Sequence, residues 1–419
     1  KTHTRKPGRI DRLTLENEYT QALDNSLPYD FPLAHRTIDG NTWEPCGEKL
    51  IRLLPFLEGD FLAEVPHTDE LLESLGTFLG KVNKVGMSLS PETVLNTEPA
   101  WDLQHLPFHK QNLDGLEDPK ERALIEYYLL QYDQVVEPRR YSLRKCLIHN
   151  DANDWNVLTQ KGKVSGIIDF GDMSYSWLIN ELAVALPYVL AEREDPLRAG
   201  GIVIKAYHRE FPLKPEELQL LYYLIAGRIC MSLCNSGRTA KLRPESNYIR
   251  ISESLMKNLL HKWISISPDE AANRFLAAAG FEPPELDEAH DYIRRRNEVM
   301  PRSLSLSYTH PIVMKRAAFQ YMFNNRGDRF LDAYNNIMLV GHCHPRVVDA
   351  TTRVLHRINT NTRYLYSEIL NYGEHLLSYF PSNLNRVFLV NSGSAATDLA
   401  LRSLSYTHLT LPTTGIRRG

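Results

Sequence analysis

Apolar residues recur at helical spacing over residues 9–24, Arg-Ile-Asp-Arg-Leu-Thr-Leu-Glu-Asn-Glu-Tyr-Thr-Gln-Ala-Leu-Asp, which predicts a first amphipathic helix. A stretch rich in Pro, Gly and Asp follows. Then Lys49-Leu50-Ile51-Arg52-Leu53-Leu54-Pro55-Phe56-Leu57-Glu58-Gly59 reads as a strand running into a turn punctuated by Pro and Gly. Residues 68–86 and 118–136 have the pattern of amphipathic helices. Between 145 and 172 the pattern changes to two short apolar strands, Cys146-Leu147-Ile148 and Ser165-Gly166-Ile167-Ile168, with polar loops between them. From Ser176 to about Leu260 the chain is again mostly helical. The stretch from Gly280 to Pro301, with its prolines and the run Arg294-Arg295-Arg296, is the best domain boundary, and the arginine run reads as a solvated helix face. Beyond Pro301 strands, turns and helices alternate in a βα manner around Phe330–Tyr334, Gly341–Pro345 and Arg386–Ser394. No internal repeat is present.

Composition narrows the class. A chain of 419 residues has room for two or three domains with sizeable cores. Its 43% hydrophobic and 24% charged residues are those of an ordinary globular protein. The net charge of -3 argues against a general nucleic-acid binder, which would carry a basic excess. No apolar run approaches the roughly 20 residues that cross a bilayer, so no membrane partner is expected. The chain starts at Lys1-Thr2-His3-Thr4, without Met or a signal-peptide pattern, which suggests a fragment. Five scattered cysteines fit a reducing cytoplasm. Cys230 and Cys234, at i and i+4 in an apolar helix, read as core residues in preference to a metal or redox pair.

The chemistry is concentrated in His149-Asn150-Asp151-Ala152-Asn153-Asp154-Trp155-Asn156 and Ile168-Asp169-Phe170-Gly171-Asp172. Phosphoryl transfer needs a carboxylate to orient and deprotonate the attacking hydroxyl, and oxygen ligands for Mg²⁺. Asp151 follows one apolar strand, Asn156 lies five residues on, and Asp169 ends the next strand. This is the kinase order H-x-D-x-x-x-x-N followed by a D-F-G-like element. An isolated H-x-D means little, and the bland alternative is an acidic loop that hydrogen-bonds itself. By residue type Asp151 is the catalytic base, Asn156 a metal ligand and Asp169 the main metal ligand. His149 reads as a brace for the loop, and Asp154 and Asp172 as secondary candidates with solvated or capping roles open.

Leu147 to Leu158 and Val164 to Glu181 resemble the aminoglycoside phosphotransferase/choline kinase superfamily. The wording Asn-Asp-Trp-Asn-Val-Leu and Ser-Gly-Ile-Ile-Asp-Phe-Gly-Asp is similar to its hydroxylysine-kinase and homoserine-kinase branch. The resemblance covers roughly residues 1–265. It implies an α+β, bilobal protein-kinase-like domain that binds ATP between lobes, with Leu53 to Gly59 against the adenine. The divisions expected are a partial, truncated N-lobe over 1–58, a C-lobe over 59–265 and a linker over 266–302. One departure is Asn150, where the family usually has Gly; Asn tolerates left-handed geometry better than most residues. A nucleotide kinase also uses a strand Lys on the phosphates and a helix Glu to hold it. Lys1 stands about the right distance before Glu16 and Glu18, the candidates for the Glu, against the equal alternative that it is an exposed lysine at an arbitrary cut.

The segment from about Ser303 to Arg402 resembles the N-terminal part of class III pyridoxal-phosphate (PLP) aminotransferases. Gly327-Asp328-Arg329-Phe330-Leu331-Asp332-Ala333, Val340-Gly341-His342-Cys343-His344-Pro345 and Asn391-Ser392-Gly393-Ser394 carry the match. The resemblance implies the start of an α/β fold-type I domain over 303–403. Ser392, Gly393 and Ser394, after an apolar strand and opening a helix, suit the phosphate of pyridoxal 5'-phosphate. A plain helix cap is the alternative. Ala395 and Thr397 depart from a common Glu and Asn. The last lysine is Lys315, upstream of the phosphate loop, so no aldimine lysine is expected in this stretch. His342, Cys343 and His344 read as a structural segment, not a metal site. Ser405 to Thr413 looks like translated sequencing adapter, so 404–419 is expected to be a non-native tail, against the alternative of a genuine strand and turn.

Two functions follow. In one, an ATP- and Mg²⁺-dependent kinase phosphorylates a hydroxyl of a small amino alcohol or amino acid, and the PLP half of a homodimeric parent acts on the product by transamination or phosphate elimination. In the other, the kinase half is a non-catalytic binding or regulatory module. Intact Asp151, Asn156 and Asp169 favour the first.

Overall fold

The computed structural model describes residues 2–4, 8–89, 101–242, 248–285, 289–301, 303–333 and 339–407. Lys1 and residues 408–419 lie outside them. The chain forms two compact units, Lys1–Ala350 and Thr351–Gly419.

In the first unit, strand β1 (Thr2–Thr4) pairs antiparallel with β3 (Lys49–Ile51), which pairs with β2 (Glu44–Cys46). Helix α1 (Arg9–Ser26) connects β1 to β2; Leu15, Tyr19 and Leu23, spaced by four, form its buried stripe together with Leu13. A second sheet is ordered β4 (Asp60–Phe61), β6 (Val157–Gln160), β7 (Lys163–Ile167). β5 (Lys145–Ile148) pairs with β8 (Ser174–Trp177) in a separate ladder.

This corrects the two-strand reading of 145–172. β6 fills what was read as loop, and β5 does not pair with β7. The hairpin between β6 and β7 turns through Lys161 and Gly162, both at positive φ (51° and 74°), the geometry a two-residue turn between twisted strands needs. With polar Thr159 and Gln160 in a four-residue strand, β6 has too little apolar run to be visible in sequence.

The remaining elements of the lobe are helical. α2 (Asp69–Ser88) starts at Thr68, whose hydroxyl accepts from the Leu71 N–H. It packs on α5 (Pro196–Glu210) and on β5. Two glycines permit the approach: a Cβ on Gly76 would stand 2.1 Å from the Val203 carbonyl oxygen, and one on Gly86 2.0 Å from that of Leu147. α3 (Pro119–Gln131), α4 (Asn180–Leu190), α6 (Pro215–Leu242), α7 (Tyr248–Trp263) and α8 (Pro268–Ala278) complete it. Cys230 and Cys234 are fully buried in the core, as expected of packing residues. No helix among the described residues is long and apolar enough to cross a membrane.

Within residues 266–302, α8 buries Ala271, Phe275 and Leu276 in the core, whereas α9 (Ala289–Val299) buries nothing. Arg294 of α9 pairs with Asp291 and Glu298 on the solvated face. Then β9 (Met314–Ala318), β10 (Tyr321–Asn324) and β11 (Arg329–Leu331) form an antiparallel sheet. Arg316 bonds Asp269 at 2.7 Å, and Phe319 lies 5.4 Å from Tyr127, ring to ring. α10 (Pro345–Arg357) runs across the boundary between the units.

The second unit contains α11 (Ser367–Leu377) and α12 (Gly393–Thr407). The strand expected over Arg386–Val390 is not formed. No other described segment pairs with it, and Phe388 is 78% exposed. An apolar run becomes a strand only when a ladder satisfies its backbone. Leu404 to Thr407, expected to open the non-native tail, close α12; the rest of that tail lies outside the described residues.

Candidate active site

The site grows from the end of β5. His149, Asn150 and Asp151 leave the ladder there, and Asn150 takes a left-handed conformation at φ 65°. That region costs most residues roughly 1–2 kcal/mol but suits Asn. The Asn150 side-chain N–H₂ donates to the carbonyls of Trp101 and Asp172, both at 3.1 Å. The residue that replaces the family's Gly therefore ties the loop to two neighbouring segments.

His149 is the brace its position suggested. Its backbone N–H donates to Glu181 Oε2 at 2.7 Å. Its ring Nδ1 accepts from the Asp151 N–H at 3.2 Å, which leaves the proton on Nε2, 3.0 Å from the Ile168 carbonyl. Burial pushes the imidazole pKa down to about 4, so the ring is neutral at physiological pH. Burial pushes the Glu181 carboxyl up to about 7, against the backbone N–H groups that favour its ionised form.

Asp151 is held on both oxygens. Asn156 Nδ2 donates to its Oδ2 and to its backbone carbonyl, each at 2.8 Å. Arg228 Nη2 donates to its Oδ1 at 2.8 Å. Burial raises the Asp151 carboxyl above the usual range, and the Arg228 charge opposes that rise. The backbone carbonyl of Asn156 accepts from the Ile168 N–H at 2.9 Å, which seats Asn156 beside the strand end that presents Asp169. Asp169 is also left-handed, at φ 61°, and its Oδ1 accepts from the Gly171 N–H. Because the Asn156 amide spends its N–H₂ on Asp151, its oxygen is the atom left for a cation. One carboxylate and one amide oxygen fit Mg²⁺, which takes few protein ligands and completes its shell with water and phosphate.

A cavity of about 310 Å³ joins Asp169 to Glu16, Leu54, Phe56, Gly59 and Phe61. Glu16 is buried and pairs with the buried Arg52 at 2.7 Å; Arg52 also donates to Asn17. Glu18 lies on the exposed face of α1, away from the cavity, which corrects the expectation that either glutamate could serve. Two positions along a helix is about 200° around it. Lys1 lies outside the described residues.

A second cavity, about 290 Å³, reaches Asp151 from residues the sequence did not single out: Trp101, Tyr188, Arg228, Ser236 and Glu253, together with Asp172. The Arg228 guanidinium lies 5.1 Å from the Trp101 ring, a cation–π contact. Trp101 is placed by its neighbour Asp102, whose buried carboxylate accepts from Ser174, Ser176 and Gln104. A signal for Arg228 was present: it is the one charge in the apolar run 218–234 of α6. Asp154 lines neither cavity, and burial pushes its carboxyl up to about 6.

In the second unit Ser392, Gly393 and Ser394 are exposed at the start of α12. Ser392 Oγ accepts from the Ala395 N–H at 3.1 Å, the bond of a helix cap. A Cβ on Gly393 would meet nothing within 4 Å, so the described residues build no close cradle there. The ring of His342 bonds Asp332 at 2.7 Å, and Cys343 is exposed at φ 54°.

This order of groups on two adjoining strand ends is the one a phosphotransferase fold presents. The family model for the phosphotransferase enzyme family matches residues 4–218, half of the chain, and the chain belongs to that family. A second family model, aminotransferase class-III, matches residues 304–409. Hydroxylysine kinase of Xenopus laevis is 32% identical over 236 residues, 52% of this chain and 62% of that protein. The alanine–glyoxylate aminotransferase 2-like protein of Drosophila melanogaster is 43% identical over 111 residues, 26% of this chain and 22% of that protein. Ethanolamine-phosphate phospho-lyase homolog 1 of Caenorhabditis elegans is 31% identical over 150 residues, 36% of this chain and 30% of that protein. The chain thus spans less than two thirds of the frog kinase and less than a third of each PLP relative. Kinase relatives imply ATP use, and the class III family implies PLP.

Proposed function

We propose that residues 1–265 form a kinase that transfers phosphate from ATP to a hydroxyl of a small amino alcohol or amino acid. The observation that carries this is the shared grip of Asn156 and Arg228 on Asp151, with Asp169 on the adjoining strand end. Asp151 lines the second cavity, where an acceptor hydroxyl would give up its proton to the carboxylate as its oxygen attacks phosphorus. Asp169 and the Asn156 amide oxygen would hold Mg²⁺, which when bound neutralises phosphate charge. Glu16, which lines the first cavity, would hold the phosphate-binding lysine in preference to Glu18, and Leu54 to Gly59 would face the adenine.

The amine preference rests on two supports. Relatives carry the names hydroxylysine kinase and ethanolamine-phosphate phospho-lyase, and the acceptor cavity is lined by the carboxylates of Asp151, Asp172 and Glu253, with Arg228 on Asp151 and Lys257 on Glu253. On this reading the protein would work in the cytoplasm as a homodimer, and the class III part beginning near 303 would take the PLP phosphate at Ser392–Ser394 and serve transamination of the product or elimination of its phosphate. A screen of amino alcohols and hydroxy amino acids for ATP consumption tests the kinase. Undiminished turnover by Asp151→Asn would overturn the assignment of the base.

A further inference from the structure

We propose that Arg228 is a positioning residue: from α6 it fixes the Asp151 carboxylate so that the acceptor hydroxyl meets an oxygen lone pair held in one direction. The proposal rests on Asp151 being the base and goes beyond that reading by assigning the group that orients it.

The geometry is unusual for a structural ion pair. Arg228 is 2% exposed, yet one nitrogen alone, Nη2, makes its contacts, to Asp151 Oδ1 at 2.8 Å and to the Tyr188 hydroxyl at 3.4 Å. Nε and Nη1 are buried with no hydrogen-bond partner among the described residues. A buried donor left unpaired costs about 1–3 kcal/mol, so a purely structural site would have filled the fork or used an apolar side chain. What the arrangement does accomplish is a fixed orientation. Trp101 lies against the guanidinium, and the Trp101 carbonyl accepts from Asn150, the residue preceding Asp151. Asp102 locks the same segment through Ser174 and Ser176 of β8, beside β5. The charge on Arg228 and the loop that carries Asp151 are thus held by one connected set of bonds.

With one bond from Arg228 on Oδ1 and one from Asn156 on Oδ2, the carboxylate plane is fixed and each oxygen keeps one acceptor direction, set in space, for the incoming hydroxyl. Without Arg228 the carboxylate could rotate about its Cβ–Cγ bond and exchange its two oxygens.

The test combines kinetics with stability on the full chain, using hydroxylysine and ethanolamine as probe acceptors. Arg228→Gln should lower kcat roughly 100-fold while KM for ATP stays within about twofold, a loss of orientation and not of nucleotide binding. Arg228→Lys, which keeps one N–H donor and the charge, should recover most of that loss. In thermal unfolding, Asp151→Asn should destabilise the protein by stranding a buried cation, and adding Arg228→Met should restore Tm toward wild type. An unchanged kcat in Arg228→Gln, no recovery in Arg228→Lys, or additive Tm losses in the double variant would each overturn the assignment. Failure of the wild type to use either acceptor would instead overturn the function proposed above, and the unfolding cycle would still decide the coupling.

Discussion

The side-chain amide of Asn150 donates to the backbone carbonyl of Asp172 at 3.1 Å, joining the loop that carries Asp151 directly to the one that carries Asp169. A glycine there would adopt the same left-handed backbone at lower cost but could not make this bond or the one to Trp101. Asn150→Gly should therefore fold with near wild-type Tm and lose kcat by about tenfold, and Asn150→Val should lose at least 1–2 kcal/mol of stability. Denaturant unfolding and steady-state kinetics check the two halves; a fully active Asn150→Gly would remove the linking role.

Asp151→Asn should lower ATP-dependent phosphorylation roughly 10²- to 10⁴-fold, the usual contribution of a positioned base. Phosphate transfer to the acceptor, measured with radiolabelled ATP, is the readout.

Glu16→Gln should raise KM for ATP about tenfold, equivalent to ~1.4 kcal/mol of binding. It also removes the charge that Glu16 presents to Arg52. Glu18→Gln, on the exposed face of the same helix, should leave KM unchanged. Equal effects from both would refute the assignment of Glu16.

His149 and Glu181 give opposing pH dependences. The imidazole has a folded pKa of about 4 against an ordinary 6.5, so the unfolded chain binds its proton first and stability falls as pH drops from about 6.5 to 4. The Glu181 carboxyl has a folded pKa of about 7 against 4.5, so the folded chain keeps its proton and stability rises as pH drops from about 7 to 4.5. Each window corresponds to on the order of 3 kcal/mol. Wild type should be nearly flat between pH 5 and 6.5 for these two groups. Glu181→Gln should steepen acid loss, and His149→Gln should reverse the slope, as read from Tm against pH.

Gly86→Ala should destabilise by about 1–3 kcal/mol or more, because its Cβ would overlap the Leu147 carbonyl oxygen and push α2 off β5. Since β5 ends in the catalytic loop, kcat measured below Tm should fall with it. An Ala variant of unchanged Tm would show that α2 can shift at no cost.

The helices were largely legible because they carry long apolar stripes: Leu15, Tyr19 and Leu23 mark α1 by their spacing alone. β6 was not legible, since a four-residue strand ending Thr-Gln has no period to detect. The expectation of a strand over 386–390 failed for the opposite reason. Val387 to Val390 are apolar enough, but ladder hydrogen bonds come from a partner, and no described segment supplies one.

At the site, the order of Asp151, Asn156 and Asp169 was readable because loop and strand lengths are local and one stretch of chain sets them. The sequence by itself determined that order of residues, the family and the helical character of the lobe around it. Tertiary structure alone decided which glutamate of α1 faces the cavity, what Asn150 does in place of glycine, and that Arg228, 77 positions from Asp151, meets its carboxylate. These are contacts between groups far apart along the chain, and only the packing of α6 on α4 and on the segment that follows Trp101 brings them within hydrogen-bonding range.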